Sequence, residues 1–154
     1  MTRMKPALVL LPILLIAFCS ASANADTDPA TARSPQETVK LYLSAMQNHK
    51  FDEAYDYVSS TLRGGKDREA WAKEQKYIVE VGEVKIFSFH TYPAIITGDK
   101  AKVPNLLKSQ DKFLNQLGLD EHEVYELVKE DGEWRIDNQT LVEGEEQKEY
   151  FPDE

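Results

Sequence analysis

The apolar positions of this chain change spacing once, near residue 79, and that change restricts its fold more than any other feature of the sequence. Before it, apolar residues recur three and four apart, the period of a helix. After it, β-branched and aromatic residues dominate, and several alternate with polar ones, the period of a strand. The pattern therefore predicts an α+β domain, with helices first and then a sheet for them to cover.

The helical half opens at Ser34-Pro35-Gln36-Glu37. The serine can accept from free amides of a first turn, the proline suits the first helical position, and the glutamate can reach back to the cap. Val39, Tyr42, Leu43 and Met46 then share one face. Residues 48–50 break that spacing, and Phe51, Ala54, Tyr55, Val58 and Leu62 restore it, which predicts a second helix over 51–62. Gly64 and Gly65 stop it. Asp67 can cap a third helix through about Tyr77, with Ala70, Trp71, Glu74 and Ile78 along one side.

In the second half, Val79, Val81, Val84, Ile86, Phe87 and Phe89 predict a first strand that ends in a turn near Pro93. Residues 94–97 and 100–107 flank Gly98-Asp99 as a hairpin, in which Pro104 marks an edge or a bulge. Residues 109–121 fit a helix through Phe113, Leu114 and Leu117, or a long loop through Gly118 and its polar neighbours. Residues 122–129 and 133–137 flank Glu130-Asp131-Gly132, the clearest hairpin signal of the chain. Residues 142–154 read as an acidic tail carrying two aromatics, Tyr150 and Phe151.

The opening residues carry a different kind of signal. Arg3 and Lys5 precede an apolar run over residues 7–18, and the segment closes on Ala23-Asn24-Ala25, the layout of a secretory signal peptide. The run is shorter than the roughly 20 residues that span a bilayer, and Pro12 interrupts it, so cleavage after Ala25 is expected rather than a membrane anchor. Tethering as a lipoprotein through Cys19 is disfavoured by the bulky Phe18 before it. Residues 26–33 are a polar leader without apolar period, expected to act as a flexible spacer.

Cleavage removes the only cysteine, so an exported chain must hold its fold by packing, without disulfides. It also removes two of 18 basic residues while keeping all 27 acids, taking the formal charge from −9 to −11. Such a surface repels phosphate backbones and anionic lipid, which argues against nucleic acid and against stable membrane insertion after processing.

Three helices followed by a curved antiparallel sheet resembles the NTF2-like superfamily, an α+β cone whose long first helix lies across the sheet. Residues 34–43 look like its opening helix, Phe51-Asp52-Glu53-Ala54-Tyr55 like the entry to its second helix, and residues 126–136 like its closing hairpin. The likeness frames residues 34–141 and is especially similar to small exported bacterial NTF2-like proteins of unassigned function, some of them described as lipoproteins. It implies a pocket between helices and sheet. In relatives similar to ketosteroid isomerases and dehydratases, Asp, His and Tyr in that pocket transfer protons. It also implies that an apolar outer sheet face could pair with a second copy, giving a homodimer.

The residues themselves give the cone a reason. Trp134 and Ile136 alternate with Glu133, Arg135 and Asp137, so the last strand has one face to bury, and Tyr42, Met46 and Tyr55 can cover it. Phe87 and Phe89 lie opposite Val84 and Ile86 in strict alternation, which would make both faces of the first strand apolar.

Candidate chemistry is sparse. Tyr42, Tyr55 and His90 are the candidate catalytic residues, since burial would shift their pKa values and a neutral histidine can act as a base. The competing reading makes the tyrosines core lining and His90 an exposed residue at a strand end. Asp99, Asp131 and Asp137 fall in turns or alternate outward, so an isomerase-like carboxylate has no clear counterpart. His49, His90 and His122 are far apart, and Asp120-Glu121-His122-Glu123 reads as solvated loop, so neither a metal nor a cofactor is expected. A Gly-x-Ser-x-Gly elbow and a phosphate-cradling loop are both missing.

These readings point to an exported, non-enzymatic NTF2-like binding or accessory protein, periplasmic or secreted, with a small apolar ligand or a protein as partner. One alternative is a pocket enzyme of isomerase or dehydratase type. Another is an inhibitor or immunity-type protein that anchors a basic partner through Tyr150 and Phe151.

Overall fold

Ser34 starts the first helix as its sequence predicts: the hydroxyl accepts from the Glu37 N–H at 3.1 Å, and Pro35 opens α1 (Pro35–Gln47). The computed structural model describes residues 32–152, so the signal segment and most of the leader lie outside the described residues.

The apolar run over 51–62 does not form one helix. It divides into α2 (Phe51–Ala54), a 3-10 turn (Tyr55–Tyr57) and α3 (Ser60–Arg63). The cause is tertiary. Val58 leaves the helix to make a parallel bridge with Ile136, and the Ser59 N–H donates to the Ile136 carbonyl at 2.8 Å. Ser59 then caps α3, accepting from the Leu62 N–H at 3.0 Å while its hydroxyl donates to Asp137 Oδ1 at 2.7 Å. Periodicity alone does not register a strand that captures two residues from the middle of a helix.

Asp67 caps α4 (Arg68–Gly82) by accepting from the Ala70 N–H at 2.8 Å. The helix runs past the expected Tyr77, so Val79 and Val81 are helical and the first strand starts later than their β-branching suggests. Isolated valines cost a helix little, and this one closes only at Glu83, left-handed at φ 52, where the Val84 N–H donates back to Val79 at 3.0 Å.

Five strands follow: β1 (Lys85–Thr91), β2 (Ile95–Thr97), β3 (Lys100–Gln110), β4 (Asp120–Glu130) and β5 (Glu133–Leu141). They form one antiparallel sheet in the order β1-β3-β4-β5, with β2 pairing the other end of β3 on the same edge as β1. That arrangement explains Pro104 inside a paired strand. Its carbonyl accepts from the Tyr92 N–H at 2.9 Å, so its missing N–H falls in the break between β1 and β2, where no ladder partner waits. Asp131 and Gly132, at φ 52 and 80, form the expected tight turn between β4 and β5. Residues 111–119, open in the sequence reading, are a loop.

The α+β layout expected of an NTF2-like cone is present, with helices packed against one face of a curved antiparallel sheet. Val39, Leu43, Ala54, Val58 and Trp71 meet Val103, Leu107, Tyr125, Leu127, Trp134 and Ile136 in the main core. A bulge between Ile86 and Ser88 breaks the alternation expected for β1: Ile86 and Phe89 both pack on the core, and Phe87 stays exposed.

The acidic tail is part of the fold. Helix α5 (Gly144–Tyr150) lies on the outer sheet face, and Tyr150 and Phe151 are buried there with Val124, Val142 and Tyr92. The Tyr150 hydroxyl accepts from Lys102 Nζ at 2.8 Å, and the Phe151 ring stands edge-on to Tyr92 and His122. The two aromatics expected to anchor a partner are used by the chain itself, on the face where a second copy was expected to pair.

Candidate functional site

Glu123 is the one acidic or basic side chain buried among the described residues, at 1% exposure. Its place follows from the period of β4. Tyr125 and Leu127 face the helices, so Glu123, two residues back, faces them too, opposite Asn105 of β3. Asn105 Nδ2 donates to Oε2 at 2.9 Å, the Tyr125 hydroxyl donates to the same oxygen at 3.2 Å, and Gln139 Nε2 donates to Oε1.

Burial pushes the Glu123 carboxyl up to about 7, and the charge of Glu121 adds to the rise, while the three donors pull the other way. Tyr42 of α1 meets Tyr125 edge-on at 6.2 Å, and burial, with the Glu123 charge behind it, pushes its hydroxyl up to about 12. Tyr125 moves upward for the same reasons. Both tyrosines therefore hold their protons at neutral pH, and Tyr125 donates its own to Glu123. Asn105 Oδ1 is buried without a hydrogen-bond partner among the described residues.

Beside this cluster a cleft of about 300 Å³ opens between the helices and β5, lined by Tyr42, Leu62, Trp71, Glu74, Gln75, Ile136, Asn138 and Gln139. Tyr42 and Gln139 join cleft to cluster. Because the Gln139 amide nitrogen is held by Glu123, its carbonyl oxygen remains for whatever occupies the cleft. Glu74 is paired with Lys66 at 3.3 Å.

Of the three catalytic candidates, only Tyr42 lines this cleft. Tyr55 stands edge-on to Trp71 at 5.9 Å, and its hydroxyl donates to the Lys66 carbonyl at 3.0 Å. Its ring lies against the guanidinium groups of Arg63 and Arg68, at 4.1 and 5.0 Å, so it fixes the turn after α3. His90 is exposed, sits opposite Leu106 on the outer face and stacks edge-on against Tyr92 at 4.8 Å. The tyrosines and the histidine do not converge. Tyr150 and Phe151 lie on the outer face as well. Glu123 and Asn105 were missed in the sequence, although counting back by twos from Leu127 and Tyr125 reaches Glu123.

No family model and no curated protein sequence matches the chain. Solved structures do. A SEC-C motif containing protein from Rhodopseudomonas palustris superimposes with a TM-score of 0.55 at 14% identity, over 72% of this chain and 83% of its own. A domain of unknown function with a cystatin-like fold from Nostoc punctiforme gives 0.52 at 12% identity, over 77% and 81%. An NTF2-like protein from Cytophaga hutchinsonii gives 0.48 at 14% identity, over 68% and 91%. The chain spans 39% of the length of another match, from Bdellovibrio bacteriovorus. At these identities the likeness is one of fold.

Proposed function

We propose that this is an exported, non-enzymatic binding protein whose cleft takes a small organic molecule with an apolar body and a hydrogen-bond donor. The observation that carries the reading is the state of Glu123. Both carboxylate oxygens are engaged by donors from the protein, and the group is closed to solvent. A carboxylate so engaged orders the residues around it rather than abstracting a proton from a guest. The lining supports a ligand of mixed character: Leu62 offers apolar surface, with buried Trp71 and Ile136 behind it, and the Gln139 carbonyl offers an acceptor.

A neutral aromatic amine, N-phenyl-1-naphthylamine, has the required shape and a single N–H donor. Its fluorescence should rise on titration into the protein, and Leu62→Trp, which fills the cleft from a half-exposed position, should abolish the rise with the fold intact by circular dichroism. Equal fluorescence in the variant would remove the cleft from consideration.

A second reading, a pocket enzyme of isomerase or dehydratase type, draws on the near-neutral Glu123 beside two tyrosines. Turnover of an apolar carbonyl or hydratable substrate that vanishes in Glu123→Gln would favour it. Export rests on Arg3, Lys5, the apolar run and the Ala23-Asn24-Ala25 site. The mass of the mature protein should begin at Asp26, and a lipid-modified Cys19 would replace free export with tethering.

A further inference from the structure

We propose that the loop between β3 and β4 is a docking site for a protein segment bearing apolar side chains flanked by lysine or arginine. Large apolar residues crowd this loop and point into solvent: Leu114 is 91% exposed and Leu117 83%, with Phe113 and Leu119 exposed beside them. A monomer does not gain by displaying such a cluster, and contiguous exposed apolar surface of this kind marks interaction sites.

The loop is built to hold that display. One oxygen of the Asp111 carboxylate accepts from the Phe113 and Leu114 N–H groups at 2.6 and 2.7 Å, and the other accepts from Asn115 at 2.9 Å. The three N–H groups hold the Asp111 carboxyl below its ordinary range, the Leu114 bond most strongly. Asn115 is buried, donates to the Ser109 and Leu119 carbonyls at 3.1 and 2.8 Å, and accepts from the Leu119 N–H at 2.9 Å. The leucines are thus preorganised, which lowers the ordering cost of association.

Charge selects the occupant. Leu114 and Leu119 continue into a groove of about 470 Å³ with Leu141 and Val142, and the carboxylates at its wall are Asp120, Glu121 and Glu143. Among the described residues, His122 is its only other titratable side chain, and neither lysine nor arginine lines it. A cationic, apolar segment satisfies both features at once. A second copy would bring the same acids face to face, and an anionic membrane would be repelled. Arg33 pairs with Glu133 at 2.9 Å by the β4–β5 turn, at the opposite end of the strands from this groove.

The test uses the mature protein and two labelled helical peptides, one amphipathic in leucine and lysine and one in leucine and glutamate, read by fluorescence anisotropy. The lysine peptide should bind. Leu114→Ser with Leu117→Ser should weaken it about tenfold or more, as should Glu121→Gln with Glu143→Gln, while Ile78→Ser, an exposed residue on α4, should leave it unchanged. Equal binding of the glutamate peptide, or indifference to the leucine pair, would overturn the proposal. So would uptake onto phosphatidylcholine vesicles through the same leucines, or self-association in sedimentation that the leucine pair abolishes. The aromatic amine of the cleft test reports on a different surface, so either reading can fail alone.

Discussion

Glu123 shows how one residue can set the behaviour of a neutral-looking core. Its carboxyl titrates near 7 in the folded chain against 4.5 as its ordinary value. Between those values the native state holds a proton that the unfolded state has released. Stability therefore falls as pH rises from about 4.5 to about 7, and the dependence levels above that. The window corresponds to roughly 3 kcal/mol. Glu123→Gln removes the titrating group, and the Gln139 amide is exposed enough to turn its carbonyl toward the new one. The difference in unfolding free energy between parent and variant, measured by urea denaturation at several pH values, should change by about that amount across the window. Parallel curves would show that Glu123 is not the group responsible. The sequence does contain this residue's position, in the two-residue alternation with Tyr125 and Leu127. It was hidden because Asp120-Glu121-His122-Glu123 reads as uniformly polar, and composition over four residues outweighed period.

At the scale of elements, signals that depend on neighbours in the chain were legible and those that depend on distant partners were not. The Ser34 cap, the Asp67 cap and the Asp131-Gly132 turn are local chemistry, and each forms where its residues stand. The break at Val58 and Ser59 is caused by Ile136, far along the sequence, so no window of the helix could disclose it. The bulge in β1 is likewise hidden, and it is supported from outside: Gln47 Nε2 donates to the Ile86 and Phe87 carbonyls, both at 3.1 Å. With Gln36 donating to Thr91 at 2.8 Å, α1 covers carbonyls along an otherwise open edge strand. Ser59 is the point where helix and sheet are joined. Ser59→Ala loses the cap on Leu62 and leaves Asp137 without that donor, a cost of about 1–3 kcal/mol. Thermal unfolding should show the loss, and Ser59→Thr, which keeps the hydroxyl, should recover part of it.

The sheet is covered on its inner face and over part of its outer face, and the two covers differ in kind. The inner face holds a deep core of helices, whereas the outer face depends on one short helix, seven residues long, and two aromatics that follow from its end. Burial of Phe151 and Tyr150 is the chief hold of that cover, because α5 has no side-chain cap and an acidic first turn that favours it only weakly. Phe151→Ala should cost about 3 kcal/mol. Removing residues 143–154 should cost at least as much, since it also uncovers Val124, Val142 and Tyr92. A second effect follows from charge. The deleted segment carries six acids and one lysine, so truncation weakens the self-repulsion of the acidic chain while exposing an apolar sheet face. The truncated protein should therefore associate in sedimentation at concentrations where the full-length protein stays monodisperse, and Val124→Thr should reverse that association. If truncation left both the urea midpoint and the sedimentation profile unchanged, α5 would be no part of the fold, and Tyr150 and Phe151 would be free again to meet a partner.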